Sequence, residues 1–255
     1  MPMIIQGEKV LLMNEKETFD PAFFTSLKKA EEKHFWFNIR RKWIFDRVKK
    51  FVPSHAKILE VGCGAGNVSS FLSRKGHTVI GCELYAEAIN MAWPDFLKVQ
   101  GDSNSLPFKD SSFDMAGFFD VIEHFENDIS PIKEALRVVR KGGIIAVTVP
   151  ARKELWSHID EVSIHKRRYD KEMLRHLFAE TKLTPLLSEY MFMSLYMPMK
   201  YMRGKNNNGD LHLKAHALVN HLLTGLFDIE RFISKGLSLP IGTSIISIAR
   251  KTTDS

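Results

Sequence analysis

The chain has few of the features that stabilise secreted or membrane-spanning proteins. Only two of its 255 residues are cysteines, Cys63 and Cys82, and their spacing suggests neither a disulfide framework nor a metal site. No basic leader with a long apolar run opens the sequence, and no apolar window reaches the length of a membrane span. Internal repeats are absent as well. These absences predict a cytoplasmic protein whose thiols stay reduced and buried.

Charge is unevenly distributed along the chain. The formal net charge is +6, yet residues 54–151 carry 9 basic and 12 acidic side chains. Residues 1–53 carry 11 basic and 7 acidic side chains, and residues 152–255 carry 16 and 11. An acidic centre between basic flanks leaves an anionic substrate or an anionic membrane surface open as a partner, although a solvated surface explains the same numbers.

The most informative segment is Ile58–Gly66, with the sequence ILEVGCGAG. An apolar strand containing Glu60 leads into glycines at 62, 64 and 66, which permit a tight turn and leave no Cβ between backbone and ligand. A dinucleotide-binding loop would have its third glycine at position 67, which is Asn67 here. Glu60 would repel phosphates but attract a cation. The motif therefore favours S-adenosylmethionine (SAM), whose sulfonium and ammonium groups are positive, over NAD; an ordinary strand-to-helix turn is the alternative.

Two further acidic residues stand at predicted strand ends. Glu83 ends the strand Thr78–Glu83, 21 positions after Gly62, where nucleotide-binding βαβ units have the carboxylate that binds the ribose. Asp102 and Ser103 follow the strand at 96–100. Three acids at the ends of successive strands predict one cofactor site rather than scattered surface charge.

In this order the motifs resemble the class I SAM-dependent methyltransferases, particularly the small-molecule group that includes the ubiquinone-biosynthesis O-methyltransferases. The resemblance runs from about Lys57 to Lys182 and includes Asp120–His124 after strand four and Arg140–Pro150 at strand five. It implies that Glu60 and the glycine turn hold the methionine end of SAM, Glu83 the ribose, and Asp102 with Ser103 the adenine side. The cofactor-binding residues it implies are Arg40, Glu60, Gly62, Cys63, Gly64, Gly66, Glu83, Leu84, Asp102, Ser103 and Phe119.

Two segments supply candidates for a base that removes the acceptor's proton. His124 follows strand four beneath the expected methyl group, and His165 lies in the loop after strand five. Both histidines could instead be structural. In some ubiquinone-pathway relatives the residues that match Asp120, Glu123 and His124 bind a divalent metal, but no metal is predicted here. The candidate substrate-binding residues are Trp36, Arg168 and Tyr169, for which core packing or a solvated loop is the competing interpretation.

Alternating strand and helix patterns predict an α/β, Rossmann-like, seven-stranded sheet, mostly parallel with helices on both faces. Strands are expected at 57–61, 78–83, 96–100, 113–119, 144–149, 184–193 and 243–249. The resemblance implies that the last strand is antiparallel and inserts between strands five and six. Asp20-Pro21 predicts a helix start, with helical pattern to Val52, and Asp170 predicts the N-cap of a helix that ends at Lys182.

We expect one methyltransferase domain over residues 1–255. It divides into an N-terminal helical cover at 1–53, a SAM-binding core at 54–193, a methionine-rich helical insertion or lid at 194–240, and the last strand with a tail at 241–255.

The predicted activity is methyl transfer from SAM to a small, apolar or anionic acceptor, most simply at oxygen. Nucleic acid is not the expected partner, and contact with a membrane surface stays open. The alternatives are a methyltransferase acting on tRNA or protein, a nucleotide-sugar or NAD enzyme, and a non-catalytic SAM-fold protein.

Overall fold

A computed structural model describes residues 28–205 and 217–252 of the chain. A seven-stranded sheet forms its centre, with the strand order β3-β2-β1-β4-β5-β7-β6. Strand β7 pairs antiparallel with both β5 and β6, while the pairings among β1 to β5 are all parallel. The predicted mixed sheet, with its last strand antiparallel between strands five and six, is confirmed.

The observed strands follow the predicted ones closely. They are β1 Lys57–Val61, β2 Thr78–Glu83, β3 Leu97–Gln100, β4 Phe113–Phe119, β5 Val139–Pro150, β6 Leu183–Met191 and β7 Ser244–Lys251. Apolar residues dominate β1, β4, β5 and β7 because these strands are buried on both faces. Strand β5 begins earlier than predicted, and Gly142, with φ of +77°, lies inside it at an irregularity in the pairing with β4.

Eight α-helices, besides a helical segment at 28–33, surround the sheet in the described part of the chain. They are α1 Phe35–Val48, α2 Asn67–Arg74, α3 Ala86–Met91, α4 Ile129–Val138, α5 His158–Val162, α6 Lys171–Glu180, α7 Met193–Lys205 and α8 Ala217–Ile233. As predicted, the Asp170 side chain caps α6 by accepting a hydrogen bond from the Met173 N–H at 2.8 Å. This helix ends at Glu180, two residues before the predicted end.

The strand order fixes where a ligand can bind. The chain moves outward from β1 to β3 and then returns to β4 on the other side of β1. Because parallel crossovers are right-handed, this reversal puts α2 and α3 on one face and α4 on the other. Ligands of such sheets bind where the order reverses, beyond the carboxyl ends of the strands. In this chain that crevice lies between the segments that follow β1 and β4.

The N-terminal helical segment is interrupted. Residues 28–33 are helical, His34 is extended at φ −73° and ψ 133°, and α1 begins at Phe35. The Nδ1 atom of His34 accepts a hydrogen bond from the Trp36 N–H, which caps α1 and explains why the predicted helix is not continuous here. The predicted start at Asp20-Pro21 lies outside the described residues.

Helices α7 and α8 lie between β6 and β7 in the chain, where the helical insertion was predicted. Helix α8 packs along α1. Among residues 28–205 and 217–252, no helix combines the length and apolar character needed to cross a bilayer. The division of the chain into cover, core and lid remains a proposal.

Candidate functional site

The glycine-rich turn after β1 has the backbone geometry that its sequence predicts. Gly62, Gly64 and Gly66 all have positive φ, at +67°, +54° and +86°. A Cβ at Gly66 would lie 2.1 Å from the ring of Phe96, and one at Gly62 would lie 2.8 Å from Val121. At Gly64, however, an added Cβ would meet no atom within 4 Å. Gly62 and Gly66 are therefore required by packing, whereas Gly64 borders open space that a ligand can enter.

Glu60 lies beneath this turn and is almost completely buried. Its Oε2 atom accepts a hydrogen bond from the Ser69 hydroxyl on α2. Burial raises the pKa of Glu60 to about 7, against the lowering effects of Ser69 and of the nearby Arg40 guanidinium. Near pH 7 this carboxyl group is only partly ionised, so pairing with a cation would stabilise its charged form.

Glu83, at the end of β2, binds the turn from the other side. Its Oε2 accepts from the Gly64 N–H at 2.8 Å, and its Oε1 accepts from the N–H groups of Leu84 and Tyr85 at 2.8 and 3.1 Å. Burial raises its pKa, although these hydrogen bonds oppose the shift. The Oε2 atom, which accepts one hydrogen bond, keeps acceptor capacity for a further donor such as a ribose hydroxyl.

The other residues of the predicted cofactor site lie at neighbouring strand ends. Asp102 is exposed after β3 and accepts from the Asn104 N–H at 2.8 Å, and Ser103 beside it is half-buried. Phe119 ends β4 and is buried. Cys63 is also buried, and burial with the charges of Glu60 and Glu83 raises the pKa of its thiol, so it is an unreactive wall of the turn.

Arg40 reaches from α1 to the end of β4. Its Nη2 lies 2.5 Å from Oδ2 of Asp120, and its guanidinium lies 5.2 Å from the ring centroid of Trp36. Asp120 has a φ of +60°, a strained value for a residue other than glycine. Arg40 is thus close enough to influence the pKa of Glu60, but its ion pair is with Asp120. Trp36 also stacks on Phe192, with ring centroids 5.9 Å apart.

The two candidate bases lie together. The rings of His124 and His165 are in edge-to-face contact with centroids 4.9 Å apart. His165 Nδ1 is 3.0 Å from Oδ1 of the fully buried Asp160, which fixes the orientation of the ring. Burial lowers the pKa of His124 to about 4, and the neighbouring His165 adds to this shift. His124 is consequently neutral near pH 7.

Arg168 and Tyr169 hold this loop in place. Arg168 donates to both carboxylate oxygens of Asp160, at 2.8 and 3.0 Å, and to the Ala151 carbonyl at 3.0 Å. The Tyr169 hydroxyl is buried and donates to Asp128 Oδ2 at 2.7 Å. These contacts favour a positioning role for both side chains over the substrate contact that the sequence predicted, because their polar atoms are already engaged within the protein.

Glu123 has an unusual environment. Its side chain is fully buried, and neither carboxylate oxygen has a hydrogen-bond partner among the residues that the structure describes. Burial, together with the charge of Asp120, raises its pKa well above the ordinary value. One oxygen of Glu123 and one nitrogen each of His124 and His165 lie within 4.8 Å of one another. One carboxylate and two imidazoles could therefore hold a transition-metal ion.

Three residues of the site were not predicted from the sequence. Ser69, the partner of Glu60, lies on α2 and could have been inferred from helix periodicity after the glycine turn. Asp160 lies on α5, five residues before His165, but its sequence gives no sign that it is buried. Glu31 is buried near Arg40 and Glu60, and burial raises its pKa to about 8. No motif marks Glu31 as part of the site.

Together these features define a nucleotide-type cofactor site in an α/β protein, with a carboxylate for a cation where a dinucleotide enzyme would bind pyrophosphate. Comparison with known families agrees with this class. Residues 59–147 match the family model described as a methyltransferase domain.

Curated relatives carry methyltransferase names. A probable SAM-dependent methyltransferase of Mycolicibacterium smegmatis is 30% identical over 125 residues, which are 48% of this chain and 48% of that protein. The malonyl-[acyl-carrier protein] O-methyltransferase of Enterobacter lignolyticus is 26% identical, over 62% of this chain and 66% of the relative. The 2-methyl-6-phytyl-1,4-hydroquinone methyltransferase of Synechocystis is 29% identical, over 49% and 40%. This chain thus spans about half of the first relative and less than two thirds of the other two.

Solved structures share the fold at lower identity. A chain of the Haloferax volcanii complex between the Trm112 methyltransferase activator and a methyltransferase superposes with a TM-score of 0.62 at 17% identity, covering 91% of this chain and 97% of that one. A SAM-dependent methyltransferase of Thermotoga maritima superposes with a TM-score of 0.57 at 17% identity, covering 90% and 98%. The chain thus contains a segment that matches a methyltransferase domain, is similar in sequence to SAM-dependent methyltransferases, and shares their fold.

The position of Glu60 leads to a prediction about cofactor affinity. Glu60→Gln is expected to weaken SAM binding roughly 10- to 100-fold, because it removes a charge-assisted interaction in a buried site. Wild-type affinity should rise as pH increases through about 7, since deprotonation of Glu60 creates the charge that binds the cation. The variant should lose much of this dependence. Isothermal titration with SAM between pH 6 and 8 measures both effects.

Glu87→Gln is the matched control, because Glu87 is an exposed glutamate on α3, in the neighbouring βα unit. It should bind SAM as the wild type does. Equal SAM affinity in wild type and Glu60→Gln across this pH range would contradict the proposed role of Glu60.

Proposed function

We propose that this protein transfers the methyl group of SAM to the oxygen of a small-molecule acceptor. The observation that carries the proposal is the pair of buried carboxylates, Glu60 and Glu83, around a glycine turn whose middle residue borders open space. In this proposal Glu60 and the turn hold the methionine end of SAM, Glu83 the ribose, and Asp102 with Ser103 the adenine side. Arg40 takes the SAM carboxylate, as its guanidinium lies near Glu60.

Methyl transfer depends more on alignment of the reactants than on activation of the methyl group. The SAM methyl carbon already carries a good leaving group, so the protein has to hold acceptor oxygen, methyl carbon and sulfur in line and to exclude water. The acceptor oxygen forms the new bond to carbon, the carbon–sulfur bond breaks, and S-adenosylhomocysteine leaves. The acceptor's proton has to be taken up by a base.

His165 is the base that we propose. Asp160 orients its ring through Nδ1, which leaves Nε2 to accept a proton, and the imidazolium would be stabilised by the same carboxylate. His124 lies beside it and is neutral near pH 7, so it does not repel the charge that develops on His165. Trp36 would form an apolar wall for the acceptor, next to Arg40.

The small-molecule class of the acceptor is supported by the name of one relative, a hydroquinone methyltransferase, and methylation at oxygen by the O-methyltransferase name of another. The Trm112 complex is similar at 17% identity, so it supports the fold and carries no argument about a protein partner.

Transfer of a labelled methyl group tests the proposal. The purified protein, with SAM labelled by ¹³C at the methyl carbon, is incubated with a panel of phenols, hydroquinones, carboxylic acids and amines, and the products are examined by NMR. A new carbon signal at the shift of a methyl ether or ester is expected, because the label then sits on oxygen. Label found on nitrogen or carbon would contradict oxygen transfer, and label found only on added tRNA or protein would contradict a small acceptor. Heat of binding with NAD but none with SAM would contradict the cofactor.

A further inference from the structure

An ordinary surface helix turns its apolar side to the protein and its polar side to solvent. Helix α8 has the reverse arrangement. Residues on one side of the helix are apolar and exposed to solvent, and we call them the outer face of α8. They are Leu218, Val219, Leu222, Leu226, Ile229, Phe232 and Ile233. At 3.6 residues per turn these positions share one arc of about 140°. Phe232 is 70% and Leu222 is 63% exposed, so these are not the edges of a buried stripe.

The inner side of α8 explains this reversal, because it docks on the protein through polar groups. Asn220 accepts from the Phe35 N–H and donates to the Lys33 carbonyl, both at 2.7 Å. Lys42 pairs with Asp228 at 2.9 Å, and Arg231 pairs with both Asp228 and Asp46. These bonds fix the rotation of the helix.

Two further contacts hold the inner side of α8 against the protein. Phe227 is fully buried and stacks on Phe35, with ring centroids 5.4 Å apart. Glu230, the second carboxylate of α8, is buried and accepts hydrogen bonds from the first N–H groups of α7, those of Met193 and Ser194. Both carboxylates of α8, Asp228 and Glu230, are therefore engaged with the protein, which leaves the outer face free of negative charge.

Basic groups lie at both ends of α8. Lys33, whose carbonyl contacts Asn220, is exposed next to the start of the helix. At the other end the Lys235 ammonium lies 5.7 Å from the ring centroid of Phe232 and shares Asp46, at 3.2 Å, with Lys49 and Arg231, so this end keeps a surplus of positive charge. From the last turns of α7 to the start of α8 the sequence is basic as well. Residues 200–216 contain Lys200, Arg203, Lys205 and Lys214 against one acidic residue, Asp210. An anionic membrane presents charged headgroups above an apolar layer of acyl chains. Exposed apolar residues between cations can contact both the headgroups and the acyl chains.

We propose that the outer face of α8 binds an anionic lipid surface, with the helix lying in the plane of the interface. The apolar side chains would enter the boundary between headgroups and acyl chains, and the flanking lysines would bind lipid phosphates. A second copy of the chain is a less suitable occupant, because pairing two such faces would bring like charges together. The proposal does not depend on the identity of the acceptor or on the base.

Co-sedimentation of the full-length protein with lipid vesicles tests this proposal. Binding is expected to vesicles of phosphatidylcholine with 30% phosphatidylglycerol, to be weaker with phosphatidylcholine alone, and to fall as salt increases. Leu222→Asp and Phe232→Asp should each lower vesicle affinity about tenfold or more, since each replaces a membrane-inserted apolar side chain by a charge. SAM affinity should not change in either variant, which separates membrane binding from unfolding.

Leu97→Asp is the matched control, because Leu97 has the same 63% exposure as Leu222 but lies on the edge strand β3 and not on α8. It should bind vesicles as the wild type does. No binding of the wild type to either vesicle, or equal binding of Leu222→Asp, would overturn the proposal. So would a dimer, detected by light scattering, that Leu222→Asp dissociates while vesicle binding is absent, since the face would then be an interface between copies.

Discussion

Replacing His165 by asparagine is expected to lower kcat for methyl transfer by about 10²- to 10⁴-fold, the usual contribution of a general base. Asparagine can keep a hydrogen bond to Asp160, but it cannot take up the acceptor's proton. SAM affinity should stay within about twofold of the wild type, because His165 lies in the loop that follows α5, beside His124, rather than at the glycine turn. Single-turnover assays with an acceptor identified by the labelled-methyl screen measure the rate, and titration with SAM measures the affinity.

Two controls separate the base from its alternatives. His176→Asn changes an exposed histidine on α6 and should leave the rate unchanged. Because Glu123, His124 and His165 could also hold a metal, wild-type activity is measured after treatment with EDTA. Loss of activity with EDTA that Mg²⁺ or Zn²⁺ restores would make His165 a metal ligand and contradict its role as the base. An unchanged rate in His165→Asn would contradict any catalytic role.

The second large effect is expected from Asp160→Asn, which should destabilise the protein by about 3–5 kcal/mol. Asp160 is fully buried and accepts hydrogen bonds from Arg168 and His165. The substitution would leave the Arg168 guanidinium buried without a counter-charge, which is the costly way to disrupt a buried ion pair. Urea unfolding followed by circular dichroism measures the loss. Glu161→Gln, at the exposed neighbouring position, should change the free energy of unfolding by less than about 0.5 kcal/mol.

The pH dependence of stability provides a second measurement on the same residue. Burial alone would raise the pKa of Asp160, but the hydrogen bonds from His165 and Arg168 outweigh it and lower the pKa to about 2 from 3.8. A lowered carboxyl pKa stabilises the folded state above the unfolded pKa, and this contribution is lost as pH falls from about 4 to about 2. Wild type should therefore lose more stability over this range than Asp160→Asn. Parallel curves for the two proteins would contradict the assignment.

Much of the fold is encoded locally, and this is why sequence patterns predicted it well. Strands β1, β2 and β4 begin and end at the predicted residues, because each is an apolar run bounded by polar or glycine residues. The three glycines can adopt positive φ because they have no Cβ, and Gly62 and Gly66 also pack too closely against Val121 and Phe96 to allow one. The position of β7, by contrast, was an expectation from family resemblance, since strand order depends on contacts between distant segments.

The side-chain partners could not be read from the sequence for the same reason. Arg40 pairs with Asp120, 80 positions away, because α1 crosses the end of β4. Arg168 and Tyr169 have the residue types of a substrate pocket, but the packing of their loop engages their polar atoms with Asp160 and Asp128. The sequence of α8 predicts a helix, but its periodicity does not indicate which side of the helix faces the protein.

The amino-acid sequence by itself determined the cofactor class. The spacing of the glycines and the acidic residues at strand ends are local features, because a tight turn requires glycine and a cationic ligand requires a nearby carboxylate. Tertiary structure alone decided which of the charged groups are buried, which histidine is oriented by a carboxylate, and that the apolar side of α8 faces outward. Those properties depend on desolvation and on contacts between segments far apart in the chain, and neither is a function of local sequence.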